Sequence, residues 1–354
     1  SLRLIPLCAK LPVIVIDIHR GNMFTPLNRT TREMKINNVV LLTNALKSLG
    51  SATKADLAVA TGLSIATCGA VLNEMSLRRE VLALELEVSR GGRPAQRYAY
   101  NPDFFSVLSL YAQGSDAAAQ IIWSVNSATG ESLAQGEVRF LPLTLATFYQ
   151  QIESLLADYP NIKALGVGLP GVVVRGTVST CDISAFAGIA IEQELRTRFD
   201  VYVQTDNDMN YTAWGFYRSS CAGVTAPVAY VFKPDMPCLG CGMVINGQVL
   251  QGASQFAGEV SNLPIERLDK LPVAEEMAKV IISLTAIINP VTVALSGPKI
   301  SEELIPQITA LCQHYIPQQH IPGLIYRPSM RQDYLRGITE LTLHNYNLYV
   351  AFGE

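Results

Sequence analysis

The chain has 354 residues, 49% of them apolar and 16% charged. That is enough to bury a large core in two or three domains, and it excludes a globally disordered protein. Seven cysteines, an odd number without regular spacing, argue against a secreted disulfide scaffold and for free thiols in a reducing, cytoplasmic setting.

Charge is unevenly spread. Arg29 to Asn101 hold ten Lys or Arg against six Asp or Glu, a net of +4, so the rest of a chain whose total is −3 carries −7. A basic first module on an acidic body points to a polyanion as partner of the first part alone. Residues 1–22 are apolar but interrupted by Lys10, Pro12 and Asp17. They fall short of the roughly 18 apolar residues of a membrane span, and no small-residue cleavage site follows. Residues 1–28 are expected to be an N-terminal extension, with a more ordinary start at Met23, and no membrane contact is expected.

The stretch "TREMKINNVVLLTNALKSLG" repeats Ile36, Val39, Val40, Thr43 and Leu46 at helical spacing and is stopped by Gly50. Thr53 is placed to cap a short helix through Ala60. Gly62 supplies a tight turn, and Ser64 caps a second helix to about Met75. Leu57, Ala58, Gly62, Leu63, Cys68 and Val71 fit the inner positions of a helix-turn-helix. Ser64, Ala66, Thr67, Ala70 and Asn73 then face outward, where hydroxyl, amide and methyl groups can meet base edges in a major groove. A plain helical hairpin is the alternative. The run "EVLALELEVSRGGRPAQRYAYN" alternates Val81, Leu84, Leu86 and Val88, then Tyr98 and Tyr100, around Gly91-Gly92. It reads as a β-hairpin wing. Arg90, Arg93 and Arg97 flank its tip and are candidates for phosphate or minor-groove contact.

From about Phe104 short strands and helices alternate. Residues 105–140 read as a three-strand meander with a turn at Thr129-Gly130, and a helix is expected at 144–158. "KALGVGLPGVVV" reads as a buried strand ending in a Pro-Gly turn. A second strand set turns at Asn246-Gly247. A β-hairpin followed by a βαβ unit, given twice, predicts an α/β body of two lobes with a cleft between them. "VYVQTDNDMN" places Asn207 and Asp208 at the carboxyl end of a strand, where open α/β sheets present ligand-binding groups.

These stretches together resemble the ROK family of sugar-responsive repressors and sugar kinases, over about residues 29–354. The resemblance rests on "GGRPAQRYAYN", "ALGVGLPGVV", "TDNDMNYTAWG", "CGMVINGQVLQGASQFAGEVSNLPI" and "IINPVTVALSGPKI" in that order. It implies an actin-like, ribonuclease-H-like body, and the winged module points to the repressor branch. Where family kinases carry an Asp-x-Gly-Gly-Thr phosphate turn, this chain has "YAQGS", with Tyr111, Gln113 and Ser115 at the Asp, first Gly and Thr positions. Where they carry Gly-Thr-Gly it has Met236-Pro237-Cys238. A magnesium-phosphate site needs a carboxylate and open backbone N–H groups, and proline has no N–H. No ATP cofactor and no enzymatic activity are therefore expected.

The sugar side is better kept. The resemblance implies that Asn207, Asp208 and Glu259 bind sugar hydroxyls, with Asp208 at the position of the kinase base. Asn262 stands where the family has a histidine that ligates zinc and touches the sugar. The cysteine-rich zinc loop expected after Pro264 is missing, so no metal is expected. Cys238 and Cys241 lack two further ligands nearby in the sequence. Asp208 has an alternative role as a helix cap.

The domain reading is 1–28 extension, 29–102 winged helix-turn-helix, and 103–354 effector and oligomerisation domain. Its two lobes span about 103–205 with the C-terminal helix, and about 206–333. The expected function is a regulator, most simply a repressor, that binds a double-stranded DNA operator as a homodimer or homotetramer and senses a sugar or sugar derivative. The alternatives are an active sugar kinase, and a DNA-binding protein whose body only oligomerises or meets a protein partner.

Overall fold

The computed structural model describes residues 31–87, 95–265 and 268–352. The extension at 1–28 and the wing tip with Arg90, Gly91, Gly92 and Arg93 lie outside these residues.

The first elements form a helix-turn-helix. Helix α1 spans Thr31–Leu49 and stops at Gly50, whose φ is +70°. A short strand β1, Ala52–Thr53, precedes α2, Lys54–Thr61. Thr53 caps α2 reciprocally with Asp56: the Asp56 N–H donates to Thr53 Oγ1 at 3.2 Å, and the Thr53 N–H donates to Asp56 Oδ2 at 2.9 Å. Gly62 turns the chain at φ +73°. Helix α3, Ile65–Leu77, starts at Ser64, whose Oγ accepts from the Thr67 N–H at 3.0 Å. Strands β2, Val81–Glu87, and β3, Ala95–Tyr100, pair antiparallel, and β1 adds to β3. The expected alternation fails at Leu84, which is exposed, because the pairing register shifts between Ala83 and Leu86.

The core of this head holds Leu42, Leu46, Leu57, Cys68, Leu72 and Met75, all at 0% exposure. The cluster runs on without a break into Phe105, Val107, Ala164 and Leu343 of the body. Head and body therefore share one apolar core.

The first lobe begins with a meander of β4 (Ser106–Gly114), β5 (Ala119–Ser127) and β6 (Ser132–Phe140), with Gly130 at positive φ in the second turn. Helix α4, Leu145–Asp158, is capped by Thr144 and leads to β7, Ile162–Leu169. A hairpin of β8 (Gly171–Val174) and β9 (Thr177–Cys181) follows, then α5, Ile191–Phe199, and β10, Tyr202–Asn207. The sheet order is β10-β7-β4-β5-β6, with β10, β7 and β4 parallel.

Helix α6, Asp208–Ser220, starts directly at the end of β10. The second sheet is built from β11 (Val228–Phe232), β12 (Gly240–Ile245) and β13 (Gln248–Val249). It continues through α7 (Val273–Ile288), β14 (Thr292–Ser296), α8 (Leu304–Gln313) and β15 (Gly323–Tyr326). Its order, β13-β12-β11-β14-β15, repeats that of the first lobe, with β11, β14 and β15 parallel. Helix α9, Arg331–Phe352, completes the described chain.

The helix after the last strand of each sheet crosses to the other sheet: α6 packs on β11 and β12, and α9 packs on β4 and β7. The two helices cross backbone to backbone. A methyl group at Gly215 would collide with the Asp333 carbonyl oxygen, and one at Gly337 with that of Tyr211. Only glycine fits either position. Among the described residues no single helix is long and apolar enough to cross a membrane.

Candidate functional site

A cleft of about 320 Å³ opens between the lobes at the carboxyl ends of the first lobe's parallel strands. Asp206 and Asn207 end β10, and Asp208 opens α6. Asp182 follows β9. Phe232, Pro234, Met236 and Cys238 to Cys241, with Gln255 and Ala257 to Glu259, form the opposite wall.

Local hydrogen bonds fix the acidic end. The Met209 N–H is shared between Asn207 Oδ1 and Asp208 Oδ1, each at 2.7 Å. The cap residue of α6 is thus Asn207, and Asp208 is the first residue of the helix. Of the two roles open to Asp208, ligand contact and helix cap, the cap falls to Asn207, which takes the extended cap conformation, φ −64° and ψ 144°. Beyond this bond the Asp208 carboxylate lines the cleft. Burial, offset by the Met209 N–H and reinforced by the nearby carboxylates of Asp182 and Glu259, pushes its pKa up to about 7.

Asp206 lies beneath, buried. Its Oδ1 accepts from the Asn210 side chain at 2.8 Å and from the Asn207 N–H at 2.7 Å, and its Oδ2 accepts from Gln251 Nε2 at 2.9 Å. Gln251 belongs to the second lobe, so this bond spans the cleft. A second bond does the same: the Arg175 N–H, in the β8–β9 turn, donates to Gln255 Oε1 at 2.9 Å. Sequence reasoning did not find Asp182, Asp206, Gln251 or Gln255. Asp206 adjoins Asn207 in "TDNDMN", whereas Asp182 reaches the cleft from the end of β9 and Gln251 and Gln255 come from the second lobe.

Glu259 lines the same cavity, and its charge raises the Asp208 pKa. Asn262 does not line it. The one-turn helix at 260–262 directs Ser261 inward, where its hydroxyl accepts from the Leu239 N–H at 2.7 Å, and leaves Asn262 exposed. The expectation that Asn262 lies in the cleft is therefore corrected by the direction of this turn. No Lys, Arg or His lines the cleft among the described residues. Nor does any group of three or more His, Cys, Asp or Glu converge as a metal site among them.

On the head, Ser64, Ala66, Ala70 and Asn73 are exposed along one side of α3, and Thr67 is half-buried beside its bond to Ser64. Arg97 sits at the foot of the hairpin. Its guanidinium donates to the Ser51 carbonyl at 2.7 Å and lies 3.9 Å from Asp56, which ties β3 to the start of α2.

Residues 118–271 match the family model named ROK family. That stretch resembles a ROK-family domain. The chain is 22% identical over 242 residues to the xylose repressor of Bacillus subtilis, covering 66% of this chain and 61% of that one. It is 23% identical over 218 residues to the xylose repressor of Caldicellulosiruptor bescii, covering 58% and 53%. The chain thus spans about three fifths or less of the length of the curated relatives it matches. Among solved structures it resembles a ROK family transcriptional regulator, homologue of the E. coli Mlc protein, with a TM-score of 0.70 at 15% identity over 90% of this chain and 99% of that one. It also resembles a ROK hexokinase from Thermus thermophilus, with a TM-score of 0.57 at 17% identity over 68% and 98%. These structures share the fold: a ROK body of two lobes.

Two stretches bear on the expectation that the phosphate turns are lost, "YAQGS" and Met236-Pro237-Cys238. At the first, Tyr111 is buried in the core with its ring 4.4 Å from that of Tyr334, and Ser115 and Ala118 close a tight β4–β5 turn. At the second, Lys233 pins the loop before β12. Its Nζ bonds Glu276 Oε1 at 3.1 Å and reaches the Met236 and Cys238 carbonyls at 3.4 and 3.5 Å. Lys233 and Glu276 are both buried, a pair that is costly to break.

Proposed function

We propose that this protein is a DNA-binding transcriptional regulator, a cytoplasmic repressor of carbohydrate-related genes, whose interlobe cleft binds a sugar. One observation carries the reading. A helix-turn-helix shares a continuous core with a ROK body, so a change in the angle between the lobes reaches the DNA-reading elements through packed side chains. We take residues 29–102 as the DNA-binding domain and 103–354 as the effector domain. In this reading Ser64, Ala66, Thr67, Ala70 and Asn73 face the major groove, and Arg90 and Arg93 are assigned to DNA contact from their sequence position alone. Arg97 braces the wing from its foot.

In this mechanism a dimer sets two α3 helices in successive major grooves. A sugar enters the cleft and donates hydroxyl protons to Asp208, Glu259 and Asn207. Closing the lobes on it works against the Gln251–Asp206 and Arg175–Gln255 bonds or strengthens them, according to which lobe angle the sugar prefers. Operator affinity shifts by the difference in sugar affinity between the two states. Relatives named xylose repressors make xylose the first sugar to test.

The protein is not proposed to transfer phosphate. Tyr111 fills the first phosphate position with a core side chain, and Pro237 brings no N–H to the second. Measuring ADP release with a sugar panel tests this directly, and turnover with any sugar overturns it.

The primary test is retention of fragmented genomic DNA at physiological salt, followed by sequencing. A few sharp, palindromic sites that release on adding xylose or another sugar support the reading. Uniform weak retention that no sugar alters overturns it. Arg93→Ala is expected to weaken operator binding by roughly tenfold and to lower the slope of log affinity against log salt by about one.

A further inference from the structure

A second cavity, of about 590 Å³, lies where the head meets the body. Helix α1 contributes Asn44, Lys47 and Ser48 from the head. Helices α6 and α9 contribute Trp214, Arg218 and His344 from the body, and the turn tips at Thr129 and Gly247 bring one residue from each lobe. Head and both lobes therefore border a single space, remote from the cleft end of α6.

Its chemistry is that of an anion site. Lys47 Nζ stands 4.4 Å over the Tyr100 ring, and among the described residues no hydrogen bond or ion pair reaches it. Burial lowers its pKa to about 8, a cost only partly offset by Glu340 and Glu80. Arg218 lies 3.3 Å from Glu340, the single carboxylate on the wall, and its side chain is 45% exposed, so the five-donor guanidinium can meet another acceptor. The Trp214 indole N–H is buried without an acceptor. Surrounding bulk, then the Arg218 and Lys47 charges, hold the His344 imidazole below its ordinary pKa. Asn44 and Ser48 add neutral donors at the rim. An unpaired ammonium, a partly free guanidinium and several neutral donors match the acceptor-only oxygens of a phosphate group.

We propose that this junction cavity is a second ligand site, built for a small oxyanion such as a phosphate group, either free or carried on a small metabolite. The ligand is held by Lys47 from the head and Arg218 from the body. Filling the site fixes the head against both lobes. The proposal does not rest on the sugar reading of the cleft, since a protein blind to every sugar would still bind the oxyanion.

Trp214 provides the readout. The chain has two tryptophans, so Trp123→Phe leaves Trp214 as the only indole, at the cavity wall. The full chain is titrated with inorganic phosphate and, separately, with glycerol 3-phosphate, at ionic strength held constant with chloride. A saturable change in Trp214 emission is expected with both ligands and not with chloride alone. Tighter binding of the ester assigns the site to a phosphorylated metabolite, and equal binding assigns it to the free ion. Lys47→Met is expected to weaken binding by about tenfold or more through loss of one charge-assisted contact, and Lys47→Arg to retain it. If Lys47→Met does not fold, the melting temperature of the wild type, rising with phosphate but not with matched chloride, serves as the measurement. A response no different from chloride, or one that Lys47→Met leaves intact, overturns the proposal.

Discussion

The interlobe cleft and the junction cavity make an instructive pair. The cleft is walled by Asp182, Asp206, Asp208 and Glu259 with no basic side chain among the described residues. The junction is walled by Lys47, Arg218 and His344 against the single carboxylate of Glu340. One helix serves both. Asp208 at the start of α6 faces the cleft, and Arg218 near its end faces the junction, ten residues or about 15 Å along the axis. Acceptors at one end suit hydroxyl donors, and cations at the other suit oxyanions. Two ligands of different chemistry can thus act on one rigid rod without competing.

The most severe way to break this pairing is to separate the helices that hold the two cavities together. Gly215→Val and Gly337→Val are each expected to cost about 3 kcal/mol or more, since the side chain must displace backbone rather than a flexible neighbour. Thermal unfolding checks this, and a melting temperature equal to wild type would mean that the crossing is looser than its geometry implies.

Asp208→Asn comes next. It is expected to weaken sugar binding by about tenfold, the loss of one bond to a charged acceptor, measured by calorimetry. It also has a pH signature. The folded-state pKa of Asp208 is raised from 3.8 to about 7. Between those values the folded protein holds a proton that the unfolded chain has released, so wild-type stability falls as pH rises through this window. Asparagine removes that slope, and denaturant titrations at several pH values would show it.

Lys47→Met sharpens the comparison with the opposite sign. The amine pKa falls from 10.5 to about 8 on folding. Between those values the unfolded chain holds the extra proton, so wild-type stability rises with pH there, and the variant should be flat. Saturating phosphate is expected to reduce the wild-type slope by holding the amine charged. The smallest effect is expected from Gln251→Ala. It removes one interlobe bond to Asp206 worth about 1 kcal/mol, seen as faster amide exchange around the cleft with little change in melting temperature.

Much of this was legible along the chain. Thr53, Gly62 and Ser64 marked the helix-turn-helix because caps and positive-φ turns are written in adjacent residues. The meander and the strand leading to Asn207 and Asp208 were legible for the same local reason. What escaped was set by long-range assembly. Asp182 and Gln255 join the cleft from segments more than 20 residues from Asp208 on either side. Asn262 faces out because of the direction of a single turn. Arg97, read from its place beside the hairpin tip as a candidate DNA contact, donates to the Ser51 carbonyl once β3 docks on β1. The junction cavity draws on α1, α6 and α9, and no stretch of sequence announces it.

The glycine crossing has a mechanical consequence. Where side chains interdigitate, one helix turns over another only by lifting knobs out of holes. At Gly215 and Gly337 the two backbones touch, and on either side Tyr211 meets Tyr334, Trp214 meets His344 and Arg218 meets Glu340. Such a crossing resists separation, sliding and rotation alike, and so couples α6 and α9 as one rigid pair. A displacement at the cleft end of α6 is therefore carried along the rod to its far end, where it meets the junction with the N-terminal head.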